Sequence, residues 1–119
     1  MQVEVDVYSG RPNPRWDLSP HQAEEFRRLI GALPGSESGG APADNLGYRG
    51  LIVRGGEPGA AGDEEFVIGG GMVWARGSRG GARQLADANR AVERWVLRTG
   101  AGLLEGELYE YLSAEVGRD

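Results

Sequence analysis

Residues 2–8 alternate between apolar and polar positions, with Val3, Val5 and Val7 on one side and Gln2, Glu4, Asp6 and Tyr8 on the other. A period of two predicts a strand with one buried face. Six turn-forming residues follow, Ser9-Gly10-Arg11-Pro12-Asn13-Pro14, and two prolines so close together exclude a helix. Arg15-Trp16-Asp17-Leu18 resumes the alternation, so the loop either closes a hairpin or leads onward. Ser19-Pro20-His21-Gln22 predicts a helix start: serine caps, proline takes the first helical position and glutamine completes a capping box. Ala23, Phe26, Leu29, Ile30 and Leu33 share one face of that helix, Glu24 and Arg28 pair on the other, and Pro34-Gly35 ends it. Residues 34–45 read as loop. Tyr48 to Arg54 and Glu65 to Ile68 read as hairpin strands. The second runs into Gly69-Gly70-Gly71 and Met72-Val73-Trp74-Ala75, where the glycines mark a bend, a bulge or the close approach of another backbone. A helix is predicted over about 82–99. Leu85, Ala88, Val92, Trp95, Val96 and Thr99 lie on one face, Arg83, Arg90, Arg94 and Arg98 on the other, and Gly100 is the stop. A last helix, about 105–116, buries Leu104, Leu108, Tyr111 and Leu112. The succession of elements predicts an α+β fold, a small and mostly antiparallel sheet with helices packed on one face.

The chain's 119 residues make one domain by the usual length of about 100–150 residues. Cysteine is absent, which excludes disulfides and thiolate metal sites. No apolar run is long enough for a membrane span, and the first residues lack the basic and apolar regions of a signal peptide, so a cytoplasmic protein is expected. The net charge of −5 argues against nucleic acid as a partner. All 13 basic residues are arginine, which removes Schiff-base chemistry and a lysine grip on phosphate.

Few residues suggest catalysis. His21 is the sole histidine, and its place in the first turn of a helix reads as a solvated position rather than a general base. Glu57, Asp63, Glu64 and Glu65 lack the ordered spacing of a calcium loop, and neither glycine cluster carries a phosphate-loop or dinucleotide pattern, so no metal and no cofactor is expected. Residues 76–98 hold six arginines against Asp87 and Glu93, while 101–119 hold five acids against Arg118. The arginine stripe from Arg83 to Arg98 is a solvated helix face or an anion- or protein-binding surface. A small enzyme pairing carboxylates such as Asp6 or Asp17 with His21 is a further alternative.

The run Ser9-Gly10-Arg11-Pro12-Asn13-Pro14-Arg15-Trp16, with the later Leu46-Gly47-Tyr48-Arg49-Gly50, resembles a motif pair of small proteins from high-GC bacteria. The chain is similar to the peptide-binding accessory proteins of crocagin-type pathways, which make pyrroloindoline natural products from ribosomal precursor peptides. That resemblance implies a non-catalytic role: binding a precursor peptide and presenting it to a partner biosynthetic enzyme. Its motif positions here are Arg11, Asn13, Trp16, Tyr48 and Arg49. From the residues themselves, a peptide is expected along the strand of Gly69, Gly70 and Gly71. The missing β-carbons admit another backbone there, Trp74 supplies apolar surface, and Arg76 can meet a carboxylate. Trp16 also has a plain structural reading as a core plug.

Overall fold

The computed structural model describes residues 1–7, 12–35, 50–55, 64–77 and 82–116. Six strands, β1 (Gln2–Asp6), β2 (Arg15–Asp17), β3 (Gly50–Gly55), β4 (Glu64–Gly69), β5 (Met72–Gly77) and β6 (Ala82–Ala86), form one sheet in the order β2-β1-β3-β4-β5-β6. Every neighbouring pair is antiparallel. Three helices, α1 (Pro20–Gly31), α2 (Ala91–Thr99) and α3 (Gly106–Val116), complete the α+β fold that the element order predicts. Among the described residues no helix is long and apolar enough to cross a membrane.

The register sorts the side chains onto two faces. Trp16, Val3, Val53, Phe66 and Ala75 align across the sheet, and Val5, Leu51, Ile68, Val73 and Leu85 form the next row. All ten are buried, in one cluster with Phe26 and Ile30 of α1, Val92, Val96 and Leu97 of α2, and Leu112 and Val116 of α3. The helices therefore lie on this face. Phe26 meets Phe66 edge-on with ring centroids 5.1 Å apart, an arrangement in which the positive ring edge faces the negative π-surface.

The capping box of α1 forms as the sequence predicts. Ser19 Oγ accepts from the Gln22 amide at 3.1 Å and Gln22 Oε1 accepts from the Ser19 amide at 2.9 Å. Arg28 pairs with Glu25 at 2.7 Å, rather than with Glu24. The loop after β1 does close a hairpin onto β2. Beyond α1, Gly35 bridges Leu85 and the Ala86 amide donates to the Pro34 carbonyl at 2.9 Å, so α1 hands the chain to the free edge of β6.

The helix expected over 82–99 is two elements. Residues 82–86 are strand β6, and α2 begins only at Ala91 after a 3-10 turn over Ala88–Arg90. Leu85 points inward in either case, but the backbone of β5 offers a full ladder that local helix propensity cannot match. The boundary is held by Asp87, buried, whose carboxylate accepts from the Val92 amide at 2.9 Å and the Glu93 amide at 3.1 Å. The reach to those amides bends Asn89 and Arg90 into the left-handed region, with φ of 58° and 55°. α3 also rotates from expectation: Leu112 and Val116 are buried, whereas Tyr111 is 43% exposed.

Candidate functional site

The face of the sheet opposite the helices is mixed in character. Gln2, Arg54, Glu65 and Arg76 stand in register across β1, β3, β4 and β5. Arg54 donates to Glu65 at 3.3 Å, and Arg76 donates to the same carboxylate at 3.2 Å. Glu4 joins this ladder diagonally: it accepts from Arg54 at 2.8 Å and from the Asn13 amide at 2.9 Å, and lies 3.3 Å from Arg15. Burial alone would push the Glu4 carboxyl up, but the hydrogen bonds from Asn13 and Arg54 and the charges of Arg54 and Arg15 outweigh it and hold it below the usual carboxylate range. Arg54 is correspondingly held more firmly in its charged form, first by its hydrogen bond to Glu4.

One row further along the strands the face is apolar. Ile52, Val67 and Trp74 are neighbours across β3, β4 and β5, all half-buried, and Met72 lies in the row beyond. Among the described residues no helix covers them. Beside this strip the sheet carries two glycines. A β-carbon on Gly50 would lie 2.6 Å from the Ile68 carbonyl oxygen and 3.8 Å from the Gly69 Cα, so β3 and β4 approach closely there without side chains. Gly50 closes the second of the two sequence motifs, and this contact explains why that position needs glycine. Gly50 is itself buried, so this close approach packs β3 against β4, and the apolar strip beside it is bordered by an ion ladder whose outer end, Arg76, is 65% exposed.

The expected site residues separate into groups. Trp74 and Arg76 come together on this face, with Gly69 at its margin. Gly70 and Gly71 lie apart from it: with φ of 61° and 85° they are the central residues of the two-residue turn joining β4 to β5. β4 is hydrogen-bonded on both sides, to β3 and β5, so a peptide cannot add to it as a new strand. Asn13 is a clasp within the first hairpin, its Oδ1 accepting from the Val7 amide at 3.1 Å while its Nδ2 donates to Glu4. Trp16 is buried and takes the structural role, its indole N–H donating to Thr99 Oγ1 at 2.8 Å. Arg11, Tyr48 and Arg49 lie outside the described residues.

Ile52, Val67 and Glu4 were not singled out by the sequence reading. The apolar triplets Leu51-Ile52-Val53 and Phe66-Val67-Ile68 are the signal for the first two, since a strand with one wet face alternates and these do not. Glu4 carried no such mark, because its partners come from two other strands and a loop.

The two alternative sites fare differently. His21 is exposed on α1 beside Trp95 and Arg98 of α2, whereas Asp6 and Asp17 sit on β1 and β2. Asp17 pairs with Gln2, at the opposite end of β1 from Asp6, about 13 Å along the strand by the usual rise. The two carboxylates therefore do not converge on one point. The arginine stripe breaks up: Arg83 belongs to β6, and Arg90 is tied to buried Glu93 by two hydrogen bonds of 2.8 Å. Only Arg94 and Arg98 remain together on α2. Among the described residues no three acidic or histidine side chains gather as metal ligands.

No family model, curated protein or solved structure matches the chain. Its class is accordingly defined by its own fold and surface: a small α+β protein whose antiparallel sheet is helix-covered on one face and lacks a helix over the other among the described residues.

Proposed function

We propose that the protein is a non-catalytic peptide-binding accessory protein, which holds a precursor peptide on the face of its sheet opposite the described helices and presents it to a partner enzyme of ribosomal-peptide natural-product biosynthesis. The observation that carries this reading is the in-register strip of Ile52, Val67 and Trp74, bordered by exposed Arg76. An apolar strip rimmed by polar groups suits an interaction surface. Exposed Arg76 favours a peptide with an acidic residue next to its apolar contact. The resemblance of the two motifs to the crocagin-type accessory proteins supports the pathway, and the chemistry of this face supports the ligand.

The mode differs from strand addition. Among the described residues β2 presents only three residues at one edge, and Pro34 and Gly35 occupy part of the β6 edge. A peptide laid across the face uses side-chain contacts, so its affinity depends on Trp74 more than on any backbone ladder. The test is calorimetric titration of a short synthetic peptide with leucine and phenylalanine next to an aspartate into the full chain and into Trp74→Ala and Arg76→Ala variants. A loss of about tenfold or more for Trp74→Ala, with a smaller and salt-sensitive loss for Arg76→Ala, is expected. Unchanged affinity in a Trp74→Ala protein with wild-type circular dichroism would remove the peptide from this face.

A further inference from the structure

Between α1 and α2, on the helix side of the molecule, lies a cleft of about 490 Å³. His21, Gln22 and Glu25 of α1 line it, with Trp95, Arg98 and Thr99 of α2. Trp95 is half-buried and stacks on core residue Phe26, with ring centroids 6.4 Å apart and planes at 27°. The core thus fixes an aromatic ring at the cleft. A preformed concavity with apolar surface and a few convergent polar groups is the usual form of a small-ligand site.

The acceptors of this lining are largely engaged, whereas its donors are not. Thr99 Oγ1 accepts from the Trp16 indole at 2.8 Å and donates to the Val96 carbonyl at 2.5 Å. Gln22 Oε1 accepts from the Ser19 amide at 2.9 Å. Glu25 Oε2 lies 2.7 Å from Arg28, which offsets its charge. Among the described residues, by contrast, the Arg98 guanidinium, the His21 ring, the Gln22 side-chain NH₂ and the Trp95 indole N–H have no hydrogen-bond or ion-pair partner. Neutral imidazole still donates from one nitrogen, so all four groups ask for an acceptor.

We propose that this cleft is a second binding site, independent of the sheet face, for an aromatic carboxylate. The carboxylate takes the Arg98 guanidinium, whose planar fork matches its two oxygens, and the His21 ring and Gln22 NH₂ donate to it from α1. The ligand's ring packs against Trp95. A single guanidinium near the Glu25 charge suits a monoanion better than a phosphate dianion. Such a group is supplied either by a free aromatic acid or by the C-terminal aromatic residue of a peptide.

The probes that test it are phenylacetate, phenylacetamide, cyclohexylacetate and an N-acetylated tetrapeptide ending in phenylalanine, each titrated into the ¹⁵N-labelled full chain and followed by NMR. Phenylacetate is expected to shift the Arg98 Nε–H, the His21 ring and the Trp95 indole N–H saturably. Phenylacetamide should bind at least about tenfold more weakly, and cyclohexylacetate more weakly than phenylacetate. Arg98→Gln, at an exposed position, should weaken the acid by a similar factor and leave the amide unaffected. Tighter binding of the tetrapeptide assigns the carboxylate to a peptide C-terminus, and equal or weaker binding assigns it to a free acid. Equal affinity for acid and amide, equal affinity for the two acids, or no saturation by about 10 mM would overturn the site. So would a shift of the Trp74 indole in place of that of Trp95. These readouts in the wild-type chain need no variant to fold, and none rests on peptide binding at Trp74, so the result is separable from the fate of the sheet-face reading.

Discussion

Gly100 follows α2 and reads in the sequence as the helix stop, and its φ is −90°, which any residue adopts. Its role is steric. A β-carbon there would lie 2.7 Å and 2.8 Å from two carbons of the Trp16 six-membered ring. That ring is held by the hydrogen bond to Thr99 and has no room to retreat. Gly100→Ala should therefore cost about 1–3 kcal/mol in urea unfolding, as overpacking does. In a Trp16→Leu background, where the obstructing ring is gone, the same change should cost much less. Equal costs in the two backgrounds would show that the contact is not responsible. Glu4 is the second residue with a measurable signature. Its carboxyl is lowered in the folded chain, so its contribution to stability is present above the ordinary carboxylate value of 4.5 and is lost as pH falls through the folded one. Glu4→Gln should accordingly be less stable than the wild type near neutral pH, with the gap closing as pH falls below the ordinary carboxylate range. A gap independent of pH would mean that the ladder around Arg54 does not depend on the charge of Glu4.

At the scale of elements, the β4–β5 turn is the most informative. Gly70 has φ of 61° with nothing within 4 Å of an added β-carbon, so the constraint is backbone conformation and not space. Asparagine tolerates that region and suits a turn with two positive φ values, whereas valine does not. Gly70→Asn should stay within about 0.5 kcal/mol of the wild type, while Gly70→Val should cost more than 1 kcal/mol, both read from thermal melts. Comparable melts for the two variants would show that the turn is not held as described. The glycine run shows how far the sequence could be read. It announced an interruption at 69–71, but a bend, a bulge and a hairpin turn share that signal, and only pairing with β3 and β5 decides between them. The first strand, the capping box of α1 and the length of α3 were legible because each depends on neighbours in the chain. The strand β6 was not: Arg83, Leu85 and the residues after them fit a 3.6 period well, and the contact that makes 82–86 a strand is supplied by Met72–Gly77. Trp95 shows the same limit in side-chain terms. The period placed it in the core, whereas it is half-buried and stacks on Phe26 at 6.4 Å, with its outer edge lining a surface cleft beside His21.

For the whole molecule, the helices and the apolar strip lie on opposite sides of one sheet. The helix layer carries Arg94 and Arg98 and the opposite face carries the strip, with the common core between them. That separation was not readable from the chain, because Trp74, Arg76, Arg94 and Arg98 all belong to one stretch rich in arginine. They part company only because the strand at 82–86 turns the chain from one layer to the other. Asn13 and Trp16, adjacent to Arg11 in a motif that suggests recognition, instead secure the N-terminal hairpin.

The hydrogen bond from Trp16 to Thr99 joins residues 83 positions apart. During synthesis the first hairpin leaves the ribosome long before α2 exists, so its indole has no partner and its apolar side no cover until nearly the whole chain has emerged. β1 meets the same delay, since Val3 pairs with Val53. The hairpins from β3 to β6 close over short separations and can form early, whereas the amino-terminal segment must wait. Until then its strict alternation leaves one apolar side without cover, with Glu4 and Asp6 as the charged groups on the other.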